Sequence, residues 1–520
     1  MRHDIIVGGN RMKKRMRAAH YLRFERRTYI EPDEKPSPPP DLDKRRMKFI
    51  FDDIREFKPA RLDDLKGLPH VARELKRYIS FLKNIDEFRS REVRTQPGVL
   101  FYGDPGTGKT LSARIIATES NARLINVTEF PRAGNGWTAE DIGSLFKLAR
   151  EYRAFSDLPV ILYFDEIDSI CPSEVPYKLE ATVALMGELD GLMGKPEGIL
   201  VIASTNDMDD VDDGVLRAGR IGHHIFFPKP DEAGLADIIR HYVSKKPHDE
   251  IDFEGLARVL EGRTGAEVEE LVERAYLNAC LDLTEPRLTE TDLVRLVIRD
   301  MDFGESAMWN GDEERYRACV HEAGHVVIGV TLELPVVMTA VPEERGSGAT
   351  FMRPLKPPLT REDIENRIVA MFGGEIAERM ILGTGSIGSE NDVGKATTTS
   401  VRLIAELGEK TNYLEELGLL SDPSPLHPVS EEERARIYRE AMELRERCHA
   451  RAIKILEEYG KEALEKVARV IEEREFLLAE DMVRVVRESA DGKLTIGPAE
   501  KNGAPACPTT RPTEASSRSG

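Results

Sequence analysis

The stretch Gly103-Asp104-Pro105-Gly106-Thr107-Gly108-Lys109-Thr110 decides how the first half of the chain must fold. It fits the pattern G-x-x-x-x-G-K-[ST], follows the apolar run Val99–Tyr102 and opens a helical segment at Leu111-Ser112-Ala113-Arg114. In that context glycines let the backbone curl so that its N–H groups face phosphate oxygens at a helix N-terminus. Lys109 can place a charge on the β- and γ-phosphates, and the Thr110 hydroxyl can ligate Mg²⁺. All eight residues are candidate contacts for ATP.

Working outward, Val160–Phe164 is an apolar strand candidate ending in Asp165-Glu166. Asp165 suits Mg²⁺ held through water, and Glu166 suits orientation of an attacking water. The run Ile199–Ser204 leads to Thr205-Asn206, where the Asn206 side chain can reach a γ-phosphate. With Leu124–Val127 and Ile225–Phe227, these runs alternate with helical patterns. The alternation predicts an α/β P-loop domain over residues 49–230, a parallel sheet with helices on both faces. Such sheets bind ligands beyond the carboxyl ends of their strands. Residues 231–300 show helical periodicity without strands (Leu235–Lys245, Ala266–Leu283) and read as a helical lid.

After a junction at 301–310, residues 311–490 read as mainly helical, with one irregular stretch near Pro335–Pro358. Within the helical pattern Asp312–Leu332 stands His321-Glu322-Ala323-Gly324-His325. Residues four apart share a helix face, so both imidazoles can grip one metal ion, with Glu322 beside it. A catalytic zinc takes three protein ligands and keeps one position open for water, and Glu322 would take that water's proton. Gly324 inside a helix costs about 1 kcal/mol relative to Ala, which points to a close backbone approach there. Composition cannot choose the third ligand among 93 acidic residues. The best local candidate is Asp392 in Gly388-Ser389-Glu390-Asn391-Asp392, ahead of the helical run Val393–Leu407.

Composition bounds the rest. At 520 residues, several domains are expected. A net charge of −19 argues against nucleic acid as the main partner. No apolar run reaches the ~18 residues a membrane-crossing helix needs. Five scattered cysteines, none in a Cys-x-x-Cys pair, fit a reducing cytoplasm. Residues 1–48 carry twice as many Lys and Arg as Asp and Glu. They read as a flexible basic tail able to touch a membrane surface or an acidic partner. Residues 491–520 read as disordered.

Together the two constellations resemble the FtsH family of AAA+ zinc metalloproteases, over roughly residues 49–490. The resemblance includes Leu189-Asp190-Gly191, Ala203-Ser204-Thr205-Asn206, Leu216-Arg217-Ala218-Gly219-Arg220 and Phe372-Gly373-Gly374-Glu375-Ile376-Ala377-Glu378. It implies that Asp392 completes a zinc site with His321 and His325, and that Asn206 senses the γ-phosphate. It implies that Arg220 is an arginine finger reaching a neighbour's ATP, hence a homohexameric ring. The implied activity is ATP-driven unfolding and hydrolysis of protein substrates, with ATP, Mg²⁺ and Zn²⁺ as cofactors. A remodelling ATPase with an inactive second domain, or a stand-alone peptidase, are the alternatives.

Three departures from the family stand out. Its membrane-spanning segments are missing, which implies a soluble, cytoplasmic member. Its pore-loop triplet aligns with Gly134-Asn135-Gly136, followed by Trp137. Its second finger arginine aligns with His223. In the loop, Asp104 stands where the family usually has proline.

Overall fold

The computed structural model describes residues 41–490, apart from 52–57, 92, 94–96, 133–135, 174–179, 193–197, 282–285, 301–307, 345, 356, 358, 387–389 and 407–430. The chain divides into two compact units, Met1–Pro228 and Lys229–Gly520.

The first unit is built on five parallel strands, β1 (Gly98–Tyr102), β2 (Arg123–Asn126), β3 (Val160–Phe164), β4 (Ile199–Thr205) and β5 (His223–Phe226), in the order β2-β3-β4-β1-β5. The central strands are continuous apolar runs because both faces are covered. Side chains alternate between two cores, as the pleat requires. Val160, Leu162 and Phe164 pack with Phe146 and Leu185, whereas Ile161 and Tyr163 pack with Ile115, Ile116 and Phe227. Register brings the functional ends together. Tyr102 pairs with Thr205 and Phe164 with Ala203, so the turns after β1, β3 and β4 open at one edge of the sheet.

Of residues 1–48, expected to be a flexible tail, the last eight are helical instead. Asp41–Phe51 is a helix packed on this unit. Its Arg46 is almost wholly buried, bonded to Asp141, to the Pro131 carbonyl and to Ser144. A charge run read as solvated thus contains a buried, paired guanidinium, which requires a fixed partner. The earlier part of the tail, the 491–520 tail, and Gly134 and Asn135 lie outside the described residues.

The second unit begins with four helices, Glu232–Val243, Phe253–Val259, Gly265–Leu281 and Glu290–Asp300. Then come the long helix Asp312–Thr331 and the helices Arg361–Met371, Gly373–Leu382, Glu390–Glu406, Glu431–Tyr459, Lys461–Arg474 and Ala479–Ser489. The stretch expected to be irregular instead holds β6 (Val336–Ala340) and β7 (Ala349–Met352). With β8 (Phe476–Leu478) they form an antiparallel sheet in the order β7-β6-β8. This sheet stands between two cores. Met338, Ala340, Phe476 and Leu478 pack with Leu235, Leu256 and Leu293 of the first four helices. Val341 and Leu477 join the core of the Asp312–Thr331 helix. Arg353, just past β7, also pairs with Glu232 and Glu261 of the first helices.

Candidate functional sites

In the first unit the phosphate loop leaves β1 at Gly103, whose φ of +134° is open to glycine but not to ordinary residues. A Cβ there would lie 2.3 Å from the Phe227 carbonyl oxygen, so glycine is required twice over. Thr107 is buried and its hydroxyl donates to the Asp104 carbonyl, while Asp104, Pro105, Gly106 and Thr110 are exposed. The helix Lys109–Ser120 starts directly after Gly108. The buried Lys109 ammonium donates to Asn206 Oδ1 at 3.0 Å and to the carbonyls of Gly103 and Asp104. Burial holds it below the usual lysine range, against the pull of Asp165 and Asp104.

The remaining groups form a chain of hydroxyls. The Tyr163 hydroxyl, 3.0 Å from Thr110 Oγ1, donates to Asp165 Oδ1 at 3.0 Å, and Ser204 donates to the same carboxylate. Glu166, at φ +51°, points its backbone N–H to Ser204 Oγ at 3.3 Å and leaves its carboxylate exposed. Gly103–Thr110, Asp165, Glu166 and Asn206 therefore meet at one edge of the sheet, and the loop fits a nucleotide's phosphates.

Arg220 lies apart from this group. Its guanidinium makes a two-toothed pair with Asp190, both bonds 2.8 Å, and donates to the Gly214 carbonyl. His223 is tied to the Tyr78 hydroxyl and lies 3.7 Å from Glu74. Trp137 stacks on Phe130, with the Arg132 guanidinium 4.9 Å from its ring.

In the second unit the three expected ligands converge. His321 Nε2 lies 3.2 Å from Asp392 Oδ2, His325 Nε2 lies 3.3 Å from that oxygen, and the two Nε2 atoms are 3.1 Å apart. Ligands bound at ~2.0–2.1 Å to a tetrahedral zinc are separated by ~3.3 Å, so these atoms already form one face of such a tetrahedron. Their tautomers suit it. His325 Nδ1 donates to the Ala370 carbonyl at 2.7 Å, and His321 Nδ1 donates to Glu378 at 2.8 Å. With Nδ1 of each ring committed as a donor, Nε2 is the atom left to ligate once any proton on it is released. Burial disfavours a charged His321, but the carboxylates of Asp392 and Glu378 outweigh it and hold the imidazolium up to about 10. Asp392 is half-buried, and although burial disfavours its charged form, bonds from His321 and His325 hold its carboxyl well below the usual range.

Glycines make the assembly possible. A Cβ on Gly324 would lie 2.1 Å from the Gly373 carbonyl oxygen, so the helices Asp312–Thr331 and Gly373–Leu382 cross backbone on backbone, as the internal glycine suggests. A Cβ on Gly374 would lie 2.3 Å from the His321 ring. Glu378, on the same helix and 1% exposed, also accepts from the Ser386 N–H and hydroxyl and from Arg317. Sequence reasoning assigned it no role. Its signal was the spacing to Gly374, one helical turn that faces it toward the same ring. Glu322 is buried and accepts from the β7 hydroxyl of Thr350 at 2.6 Å. These residues line a cleft of about 920 Å³, with β7 along one wall.

Comparison with known proteins agrees with both halves. The family described as ATPase family associated with various cellular activities (AAA) matches residues 99–229, and Peptidase family M41 matches residues 308–485. The chain is 30% identical to the ATP-dependent zinc metalloprotease FtsH 2 of Symbiobacterium thermophilum, over 82% of this chain and 75% of that protein. This chain belongs to the FtsH family of ATP-dependent zinc metalloproteases. It is 31% identical to the YME1 homolog of Caenorhabditis elegans, over 85% of this chain and 64% of that one. The match to FtsH 3 of Sorangium cellulosum is 32% over 71% and 63%. The chain thus spans just under two thirds of the last two relatives. Among the described residues, no helix is long and apolar enough to cross a membrane.

Proposed function

We propose that this FtsH-family chain is an ATP-driven zinc endopeptidase acting on polypeptides. The observation that carries the reading is the triangle of His321, His325 and Asp392 beside Glu322 in an open cleft. Zinc, when bound there, would supply Lewis acidity toward a water and the scissile carbonyl. Glu322 takes the proton of the attacking water and returns it to the leaving amine. The Thr350 hydroxyl holds one Glu322 oxygen in place while the other serves the reaction. Glu378 fixes the His321 tautomer. Among the described residues β7 is the outer strand of its sheet, and that position suits an extended substrate backbone laid along it, because an edge strand offers N–H and C=O groups in register.

In the first unit Lys109 and the loop N–H groups hold the phosphates, with Thr110 and Asp165 on Mg²⁺. Glu166 orients the hydrolytic water and Asn206 senses the γ-phosphate. The reading extends to a homohexameric ring. A finger role for Arg220 needs a second copy's nucleotide nearby, and the Asp190 fork holds its direction on its own subunit. We take an ATPase body over 49–230, a helical lid over 231–300 and a peptidase over 311–490; family matches at 99–229 and 308–485 support the first and the last. Cys171, Cys319 and Cys448, buried as free thiols, support a reducing, cytoplasmic setting.

The test is degradation of casein with ATP, without ATP and with a zinc chelator. Glu322→Gln should lower cleavage about 10²–10⁴-fold while ATP turnover persists. Lys109→Ala should stop ATP-driven degradation yet spare cleavage of short peptides. Undiminished cleavage by Glu322→Gln sinks the assignment.

A further inference from the structure

Three cations line the zinc cleft, Arg317, Arg367 and Lys395. Two have carboxylate partners in the chain, Arg317 on Glu378 and Lys395 near Asp392. Arg367, half-buried on the helix Arg361–Met371, has none among the described residues. Among the described residues its guanidinium donates from Nη1 to the Arg353 carbonyl at 3.1 Å, at the end of β7. Of the acids of its own helix, Asp363 is engaged with Thr360 and Glu365 with Arg361, while Glu362 is exposed in the first turn. Burial pushes the guanidinium below its ordinary range.

A guanidinium withdrawn from water without an anion is costly, and it matches a carboxylate two-toothed. Here the open route to an anion is the cleft. On the reading that this cleft hydrolyses peptides, we propose that Arg367 is a specificity-determining residue that receives a carboxylate of the substrate. It stands beside Met352 and Met371, one helical turn before Ala370, whose carbonyl holds His325. The carboxylate therefore sits on the substrate residue lying against the end of β7, a fixed number of residues from the bond cut. An Asp or Glu side chain or a chain terminus could supply it.

The test uses quenched fluorescent peptides in which one Glu is walked through a Gln background, each made with a free and an amidated C-terminus. Wild type should prefer Glu at a single position about tenfold in kcat/KM, mainly through KM. Arg367→Met should bring that Glu/Gln ratio to one, Arg367→Lys should keep part of it, and Arg367→Glu should favour Lys at the same position. A preference confined to free C-termini and lost in Arg367→Met supports the assignment with the terminus as source. Indifference to Glu and to the terminus in wild type, or a preference that survives in Arg367→Met, overturns it. If no peptide is cut at all, the peptidase reading fails and this assignment falls with it.

Discussion

The phosphate loop and the metal cleft solve the same problem, holding a small charged group, by opposite routes. The loop is eight consecutive residues at the end of one strand. Its geometry follows from glycine backbone freedom and a helix start. The cleft is assembled from four helices and a strand, and His321 and Asp392 are far apart in sequence. Its geometry depends on how closely two helices can approach. A local site tolerates change elsewhere in the fold, whereas a site made by helix crossing inherits every constraint on that crossing.

That contrast can be broken most sharply at Gly374. Gly374→Ala should push a methyl into the His321 ring, which Glu378 holds through Nδ1. Zinc content measured by mass spectrometry should fall to background and peptide cleavage with it, while nucleotide binding is kept. Retained zinc would show that the crossing is softer than its contacts suggest.

A smaller effect is expected from Glu378→Gln. The amide keeps the shape but weakens the charge that fixes the imidazole, so zinc affinity should drop about 10- to 100-fold. Competition with a fluorescent chelator measures it. An unchanged affinity would mean that the Ala370 and Ser386 contacts suffice to orient the ligands.

The mildest test is pH. Without metal, His321 holds its proton up to about 10, so zinc uptake at neutral pH must release it. Apparent zinc affinity should rise about tenfold per pH unit and level off near that value. The same imidazolium stabilises the metal-free fold. Its contribution is complete below the ordinary histidine range and is lost as pH rises through about 10. Calorimetry in two buffers of different ionisation enthalpy would count the proton.

The difference in construction also explains what the chain's letters disclose. β1, β3 and β4 were legible because a strand buried on both faces is written as an unbroken apolar run, and Gly103–Thr110 follows one directly. His321, Glu322 and His325 were legible because helical spacing alone puts two imidazoles on one face. Asp392 was only a local candidate until the family resemblance selected it, because carboxylates are numerous and the contact is long-range. Glu378, Thr350 and Arg367 gain their roles from packing between elements and carry no local signature. β7 escaped notice because Ala-Thr-Phe-Met is too short to show an alternation. Arg46 reads as tail charge until Asp141, nearly a hundred residues on, gives it a partner.

The place of β7 as the outer strand of its sheet among the described residues bears on aggregation too. If β7 takes up an unfolded segment as proposed, it could equally take up the same strand of another copy, the usual beginning of aggregation. β7 is only four residues long, is followed at once by Arg353-Pro354 and lies along the wall of a cleft. A folded neighbour cannot thread such a recess, whereas a loose chain can. The shortness that hid β7 from the sequence pattern is thus a safeguard against the protein becoming its own substrate.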